Sequence, residues 1–463
     1  VASRGNRASG GPVRIAFFES MGSESFPNAL DPSHVGLLPW ASGPSRVVDR
    51  FKCTDYASGC ALDETLPNVT SHGMAVVTAA AGSIENGQDW VFSSDPIQSV
   101  AHSGQASGSK LWYFRIDSAG GMKRALEYAA SAGIDIVNVS FGWTGSLPCN
   151  INGDHDWDNE GLNGFLRSSY DLGITLVGSA GDAGGLNGSN CNMVYPMWRP
   201  EVLAINGLDT SDSTQGYSTT VLSSAASARG GAYMCLYGGG WCVSRAGIAL
   251  SAPGVFTNAY RSDLIRYDSS HWTGSSFASP VVAGAAALLR GALHDIGWNT
   301  DGRFLFVEML AQSDSWDHGT GLTRTSGSSN TSGAGRVRMH YPAPGGISGN
   351  WAWGQRAFWL YPGQTVSFSV GSGTSLPSSI RQWKWAVYWN ETNLNAVSDI
   401  DIEVWDTCTN TRVAYQWDYD LRNRIQLRDA EIWGRCLEMR VKAYYVDSPR
   451  LVWSADFYHG SVD

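Results

Sequence analysis

Residues 110–116 read KLWYFRI, residues 121–133 read GMKRALEYAASAG and residues 134–139 read IDIVNV. The outer two are short apolar runs of strand length, and the middle one sets Met122, Ala125, Leu126, Tyr128 and Ala129 on one side at helical spacing. Strand, helix and strand in succession make one βαβ unit, and such a crossover joins parallel neighbours in a sheet. The same alternation extends in both directions. VRIAFF at 13–18, ITLV at 174–177 and VLAI at 202–205 read as further buried strands, and 279–292 reads as an apolar helix long enough to be an internal one. From residue 13 to about residue 341 the chain is therefore expected to be α/β, a parallel sheet with helices on both faces.

The pattern changes after that. PAPGGISG at 342–349 is a punctuated linker, and the rest is alternating, aromatic-rich and without a convincing helix: 357–360, 365–370, 383–388, 399–405 and 437–445 read as strands. An antiparallel β-sandwich, jelly-roll-like, is expected there. The domain reading is 1–345 for the α/β part and 346–463 for the sandwich.

Composition narrows the function classes. With 463 residues, 43% hydrophobic and 16% charged, the chain is long enough for a large core and is not disordered. Lys plus Arg number 32 against 42 Asp plus Glu, a net −10, which argues against nucleic acid and anionic lipid as partners. The longest apolar run, 273–289, opens with TGSS and contains a proline, so no membrane span is expected. The chain begins at Val1 with no charged region leading into an apolar one, so a signal or pro-segment is expected to have been removed or left out.

Eight cysteines occur, which allows 105 pairings. Closeness in sequence favours Cys53 with Cys60, Cys235 with Cys242, Cys149 with Cys191 and Cys408 with Cys436. Bound metal and free thiols are the alternatives, the first unsupported by any C-x-x-C pair. Disulfides imply an oxidising compartment, outside the cell or in a periplasm.

Three segments each carry one reactive side chain to the junction of a strand or loop with a helix. GSSFASP at 274–280 sets Ser276 among small residues at the opening of the apolar helix, where backbone N–H groups can face an oxyanion while a hydroxyl attacks a carbonyl. Alone, such a serine would be a helix cap. SHGMAVVTAAAG at 71–82 sets His72 ahead of a small-residue helix, and FFESMG at 17–22 sets Glu19 at the end of a buried strand. By themselves these two read as a structural histidine and a solvated strand end.

Together, in the order acid, His, Ser, the segments resemble the subtilase family of serine endopeptidases. Its Asp-Ser-Gly, His-Gly-Thr-x-Val-Ala and Gly-Thr-Ser-Met-Ala-Ser-Pro signatures look like the stretches at 19–21, 72–77 and 274–280. Similarity continues through IDIVNVSFG at 134–142, YPMWRPEVLAI at 195–205, SAPGV at 251–255 and GAGRV at 333–337. The resemblance implies a subtilisin-like doubly wound sheet and acyl transfer on a polypeptide substrate. Ser276 would be the nucleophile, His72 the general base and Glu19, in place of the family's Asp, the orienting acid, with Asp31 and Asp63 as poorly placed rivals. VGSAGDAGG at 177–185 resembles the family's Ala-Ala-Gly-Asn-Glu-Gly, so Asp182 stands where an asparagine amide would serve the oxyanion hole. Sedolisins carry Asp there but replace the His with a Glu, so this chain looks like a hybrid. Asp182 works either protonated, as a donor, or ionised, leaving the hole to the Ser276 amide and the Ser275 hydroxyl.

The family's groove, carried over residue by residue, would be walled by Ser140, Phe141 and Gly142 and by Ser179, Ala180 and Gly181. Val194 would stand at the floor of the primary pocket, giving a shortened apolar pocket for small or medium side chains, and Trp143 would narrow the next subsite. No cofactor is required for the chemistry. Asn28 stands near where many relatives place a calcium-binding Asp, which argues against calcium there, while Asp399 and Asp401, which alternate along one strand, read either as ligands of a structural calcium or as a merely wet face. A monomer is expected. The rival from another class is a catalytically weak or silent subtilase fold serving as a binding or scaffold module, its aromatic-rich tail gripping a partner or a carbohydrate, although strand-packed core is the commoner use of aromatics.

Overall fold

The buried apolar runs of the N-terminal part pair side by side in the computed structural model: Arg14–Ser20 (β1), Val47–Asp55 (β2), Gly59–Leu62 (β3), Lys110–Ile116 (β4), Ile136–Val139 (β5), Thr175–Ser179 (β6), Val202–Leu208 (β7) and Leu250–Pro253 (β8). The structure describes residues 6–7, 11–23, 27–34, 37–38, 44–67, 71–82, 104–143, 160–182, 192–208, 228, 233–235, 242–244, 247–256, 259–260, 267–268, 272–313, 333–337, 339, 351–370, 376, 379–391, 397–416 and 421–459. The strands form one sheet in the order β8-β7-β6-β5-β1-β4-β2-β3, parallel except for the β2–β3 hairpin. After β4 the chain passes over β1 to begin β5 on its other side, and then continues outward to β8. That reversal opens a crevice at the carboxyl ends of β1 and β5, the place where such sheets bind ligands.

The helices are His72–Ala81 (α1), Ala119–Ser131 (α2), Leu162–Asp171 (α3), Ser275–Asp295 (α4) and Gly302–Gln312 (α5). Ala16 and Phe18 of β1 pack with Met122, Ala125 and Leu126 of α2, while Ile15 and Phe17 pack with Met74 and Val77 of α1 and Val282 and Ala286 of α4. Period-two alternation along β1 thus divides the core into two layers. Strand β4 matches its expected range end to end. Helix α2 starts earlier than read because the Ser118 side chain caps it, accepting from the Gly121 amide at 3.0 Å. Helix α4 also starts earlier, at Ser275, with Pro280 inside it. By length and composition α4 would pass for a membrane span, yet Ala278, Val282, Ala283, Ala286 and Leu289 are fully buried in the protein.

The C-terminal part forms two antiparallel four-stranded sheets. Trp351–Leu360 (β9), Thr365–Ser369 (β10), Gln382–Trp389 (β11), Asp399–Asp406 (β12), Thr411–Gln416 (β13), Arg422–Arg428 (β14), Leu437–Tyr445 (β15) and Arg450–His459 (β16) are ordered β9-β16-β11-β14 and β10-β15-β12-β13. Strand β11 is buried along its whole length. Its Trp383, Trp385, Val387 and Trp389 join Ile400, Ile402, Val404 and Met439 between the two sheets, whereas Ala386 and Tyr388 join Phe306 and Met309 of α5. The Tyr388 ring stacks on Phe306 at 4.4 Å, and its hydroxyl donates to the Pro200 carbonyl at 2.7 Å. Lys384, fully buried, donates to the carbonyls of Gln312 and Ser313 at 3.3 and 3.2 Å, where the end of α5 carries partial negative charge. The residue range of the expected linker lies outside the described residues.

Disulfides join Cys53 to Cys60, across the β2–β3 hairpin, and Cys408 to Cys436. Cys235 and Cys242 are opposite each other in an antiparallel pair of short strands. The pairing expected for Cys149 and Cys191 falls outside the described residues.

Candidate active site

Glu19 shares a face of β1 with Phe17, the face that α1 covers, and is fully buried. Helix α1 opens on His72. The preceding Ser71 gives its hydroxyl to the Ala29 carbonyl at 2.6 Å rather than to the helix. His72 Nδ1 lies 2.8 Å from Glu19 Oε2, so the ring presents its proton to the carboxylate on that side and keeps Nε2 as the basic nitrogen. Phe277 packs on the imidazole, 4.9 Å between ring centres.

Burial of the imidazole works against its charge, but the Glu19 carboxylate, the bond to it and the charge of Asp182 outweigh burial and hold the His72 pKa above its ordinary 6.5. Burial also pushes Glu19 above 4.5, only partly countered by His72. Its second oxygen, Oε1, is buried without a hydrogen-bond partner among the described residues.

The two rival acids have other tasks. Asp63 receives Arg115 in a fork of 2.6 and 2.9 Å, and Asp31 accepts from the amide and hydroxyl of Ser33 at 2.9 and 2.7 Å. The Arg115–Asp63 pair is buried. Asn28 donates its amide to Ser20 Oγ at 2.9 Å, and its backbone carbonyl accepts the Tyr113 hydroxyl at 2.7 Å. Residues 28 and 29 thereby tie the end of β1, which carries Glu19, to the start of α1, which carries His72.

Ser276 is the second residue of α4 and is half-buried. Its hydroxyl donates to the Ser140 carbonyl at 3.3 Å, and the Ser140 hydroxyl donates to the Ser276 carbonyl at 2.9 Å. Asn138 holds Ser140 Oγ at 2.8 Å, with Ser279 Oγ at 3.3 Å. On the other side, Asp182 Oδ1 accepts from the Ser275 amide at 2.7 Å and the Ser275 hydroxyl at 2.8 Å. Gly274 makes room for this carboxylate: with φ at +150°, a Cβ there would come within 2.8 Å of Asp182 Oδ2. The whole residue is exposed, yet its carboxyl rests against the helix start. The loss of water there raises its pKa above 3.8, incompletely offset by the Ser275 bonds and by His72.

The segments expected to wall a groove run alongside. Ser140 follows β5, and Ser179, Ala180 and Gly181 end β6 and follow it. Val194 is wedged between the two stretches, its amide donating to the Ala180 carbonyl at 3.1 Å. Its Cγ2 occupies the space a Cβ at Gly142 would need, and its Cγ1 would lie 2.9 Å from a Cβ at Gly181. Trp143 pairs its backbone with Tyr195 at 2.9 and 3.0 Å, and Phe141 meets Trp143 edge-on at 5.3 Å. The Val194 side chain thus fills the space between Gly142 and Gly181.

The structure thus brings Glu19, His72, Ser276, Ser275 and Asp182 together, from well-separated stretches of sequence, at the carboxyl ends of β1, β5 and β6. A carboxylate-oriented imidazole beside a serine at a helix start can move a proton and support a nucleophile. The sequence alone assigns no site role to Asn138, Ser279 or Tyr113, although a polar Asn138 inside the apolar run IVNV is a signal for the first. Among the described residues a metal-like grouping occurs at Asp406, Cys408 and Cys436, but both sulfurs are in a disulfide and do not fit a metal. Asp399 is buried and Asp401 half-buried.

Comparison with known proteins gives a match of residues 51–335 to the model of the subtilase family, a range that begins after the strand bearing Glu19. Subtilisin DY of Bacillus licheniformis is 25% identical over 200 residues, 42% of this chain and 57% of that protein, so the match spans little more than half the relative's length. Among solved structures, Sphericase is 19% identical over 71% of this chain and 93% of its own, with a TM-score of 0.47. The patellamide maturation protease PatA is 19% identical over 72% of this chain and 95% of its own, with a TM-score of 0.46.

Proposed function

Because this chain belongs to the subtilase family, we propose that it is a serine endopeptidase that hydrolyses peptide bonds through Ser276, His72 and Glu19. The observation that carries the reading is the 2.8 Å bond from His72 Nδ1 to the buried Glu19, on the imidazole that lies beside the helix start bearing Ser276. The Ser276 hydroxyl rotates from the Ser140 carbonyl to His72 Nε2, gives up its proton there and attacks the substrate carbonyl. The imidazolium, stabilised by Glu19, returns the proton to the leaving amine, and water repeats the cycle on the acyl-enzyme. The Ser276 amide and Asp182 face the oxyanion, and Asp182 assists when it carries a proton.

Extended polypeptide lies between residues 140–142 and 179–181, and Val194 limits the side chain before the cleaved bond to small or medium apolar types. The disulfides Cys53–Cys60 and Cys408–Cys436 suit an extracellular or periplasmic site of action. The peptidase domain is taken as 1–345 and the sandwich as 346–463. Incubation of an unfolded polypeptide with the full chain and with Ser276→Ala tests this: cleavage after small or medium apolar residues by the first alone supports it, and equal cleavage or none overturns it.

A second reading has one observation in its favour. The Ser276 hydroxyl donates to the Ser140 carbonyl in the resting structure, an arrangement a silent binding module could retain. The same cleavage assay separates the two.

A further inference from the structure

Asp182 has two oxygens, and an acid that donates to an oxyanion must carry its proton on the right one. Ser275 decides which. Its amide and its hydroxyl both donate to Oδ1, at 2.7 and 2.8 Å. The hydroxyl oxygen in turn accepts the Gly181 amide at 3.0 Å, and Ser275 is fully buried. A serine hydroxyl has a single proton, and with Gly181 donating to one of its two lone pairs that proton goes to Asp182. Two donors converging on Oδ1 leave no room for a third hydrogen there. Oδ2 has no hydrogen-bond partner among the described residues and lies against Gly274.

We infer that Ser275 is a positioning residue: it locks Oδ1 of Asp182, so that the proton of the acid form sits on Oδ2 and points to the oxyanion made when Ser276 attacks. The inference rests on the proposal that Asp182 faces the oxyanion. No bond forms or breaks at Asp182 in this role, since its O–H donates a hydrogen bond and keeps its proton. The Ser275 hydroxyl itself is thereby committed to Asp182 and does not serve the oxyanion directly.

The charged surroundings set the pH dependence. His72 on α1 faces Asp182, with Glu19 of β1 behind it, and the first amides of α4 add partial positive charge. Both Ser275 bonds favour the carboxylate, so removing the hydroxyl lets Asp182 keep its proton to higher pH.

The test is kcat and KM of the full chain from about pH 4 to about pH 9 for Ser275→Ala, Ser275→Thr, Asp182→Asn, Asp182→Ala and the Ser275→Ala/Asp182→Asn double variant. Ser275→Ala is expected to lose about 10-fold in kcat with KM little changed, and to move the alkaline limb of activity up by about one pH unit. Ser275→Thr restores both. In the Asp182→Asn background, a neutral donor at every pH, the serine change costs under about twofold. Equal costs in both backgrounds with an unmoved limb overturn the role of Ser275 while leaving that of Asp182. Full activity of Asp182→Ala at acid pH overturns the oxyanion reading itself, and this inference with it. If Ser275→Ala does not fold, Ser275→Cys, near in size with a weak donor, carries the same expectation.

Discussion

The Ser140 hydroxyl donates to the Ser276 carbonyl at 2.9 Å, in the place where an α-helix would use the amide of residue 280, which here is a proline without one. A side chain from the end of β5 thus supplies the donor missing from the opening turn of α4. It fixes the backbone of the residue whose hydroxyl must move.

Ser140→Ala leaves that carbonyl without its donor. The expected result is a fall of about 10-fold or more in kcat with a smaller change in KM, and a Tm lowered by about 2–4 °C. Ser140→Thr keeps the hydroxyl and should recover most of both. Kinetics and thermal melts of the two variants check this, and unchanged kcat in Ser140→Ala would contradict it.

Glu19 reaches His72 with one methylene more than an aspartate has. Glu19→Gln loses the charge that holds the imidazolium, and kcat should drop by about 10⁴-fold. Glu19→Asp keeps the charge but withdraws it by about 1 Å, with a loss nearer about 10²-fold. Because Glu19 raises the His72 pKa, Glu19→Gln should also shift any residual acid limb to lower pH. A full pH–rate profile decides, and an Asp variant no better than Gln would count against an electrostatic role.

Val194 fills the gap between Gly142 and Gly181. Val194→Gly should open it, raising kcat/KM for substrates with Leu or Phe before the scissile bond by about 10-fold or more, with alanine substrates little affected. A peptide series differing only at that position measures this. The same preference in both proteins would place the pocket elsewhere.

Glu308 of α5 is fully buried, and burial drives its carboxyl well above the ordinary 4.5, with Asp456 adding to the shift and the side-chain amides of Gln355 and Gln312 only partly opposing it. The native state therefore keeps a proton that the unfolded chain releases, and this contribution to stability is present at low pH and lost as pH rises past 4.5. Glu308→Gln should remove that decline and raise Tm near pH 8 by about 2–4 °C. Parallel Tm–pH curves for the two proteins would show that Glu308 is not the cause.

Strand β4 and the βαβ unit around it were legible because apolar runs of that length have few alternatives. The β2–β3 hairpin was not, since its strands at the sheet edge mix Asp49, Arg50 and Lys52 with Phe51 and Cys53 and are only partly covered. Helix α5 was missed for a related reason: Gly302–Gln312 is buried nearly all round, and one of its covers is the sandwich, so it shows no amphipathic stripe. At the site, the motifs pointed to Glu19, His72, Asp182 and Ser276. They could not say that Ser140 stands in for a proline's absent amide, nor that Ser275 turns to Asp182, because both depend on segments brought together only by the sheet.

The most direct test of the account is the intact and peptide mass of the full chain after exposure to a fluorophosphonate from about pH 4 to about pH 9, alongside a His72→Ala control. The account predicts a single adduct on Ser276 that forms in the native protein and is nearly abolished in the control. A folded protein that takes up no adduct at any pH, or labels equally well without His72, would contradict it.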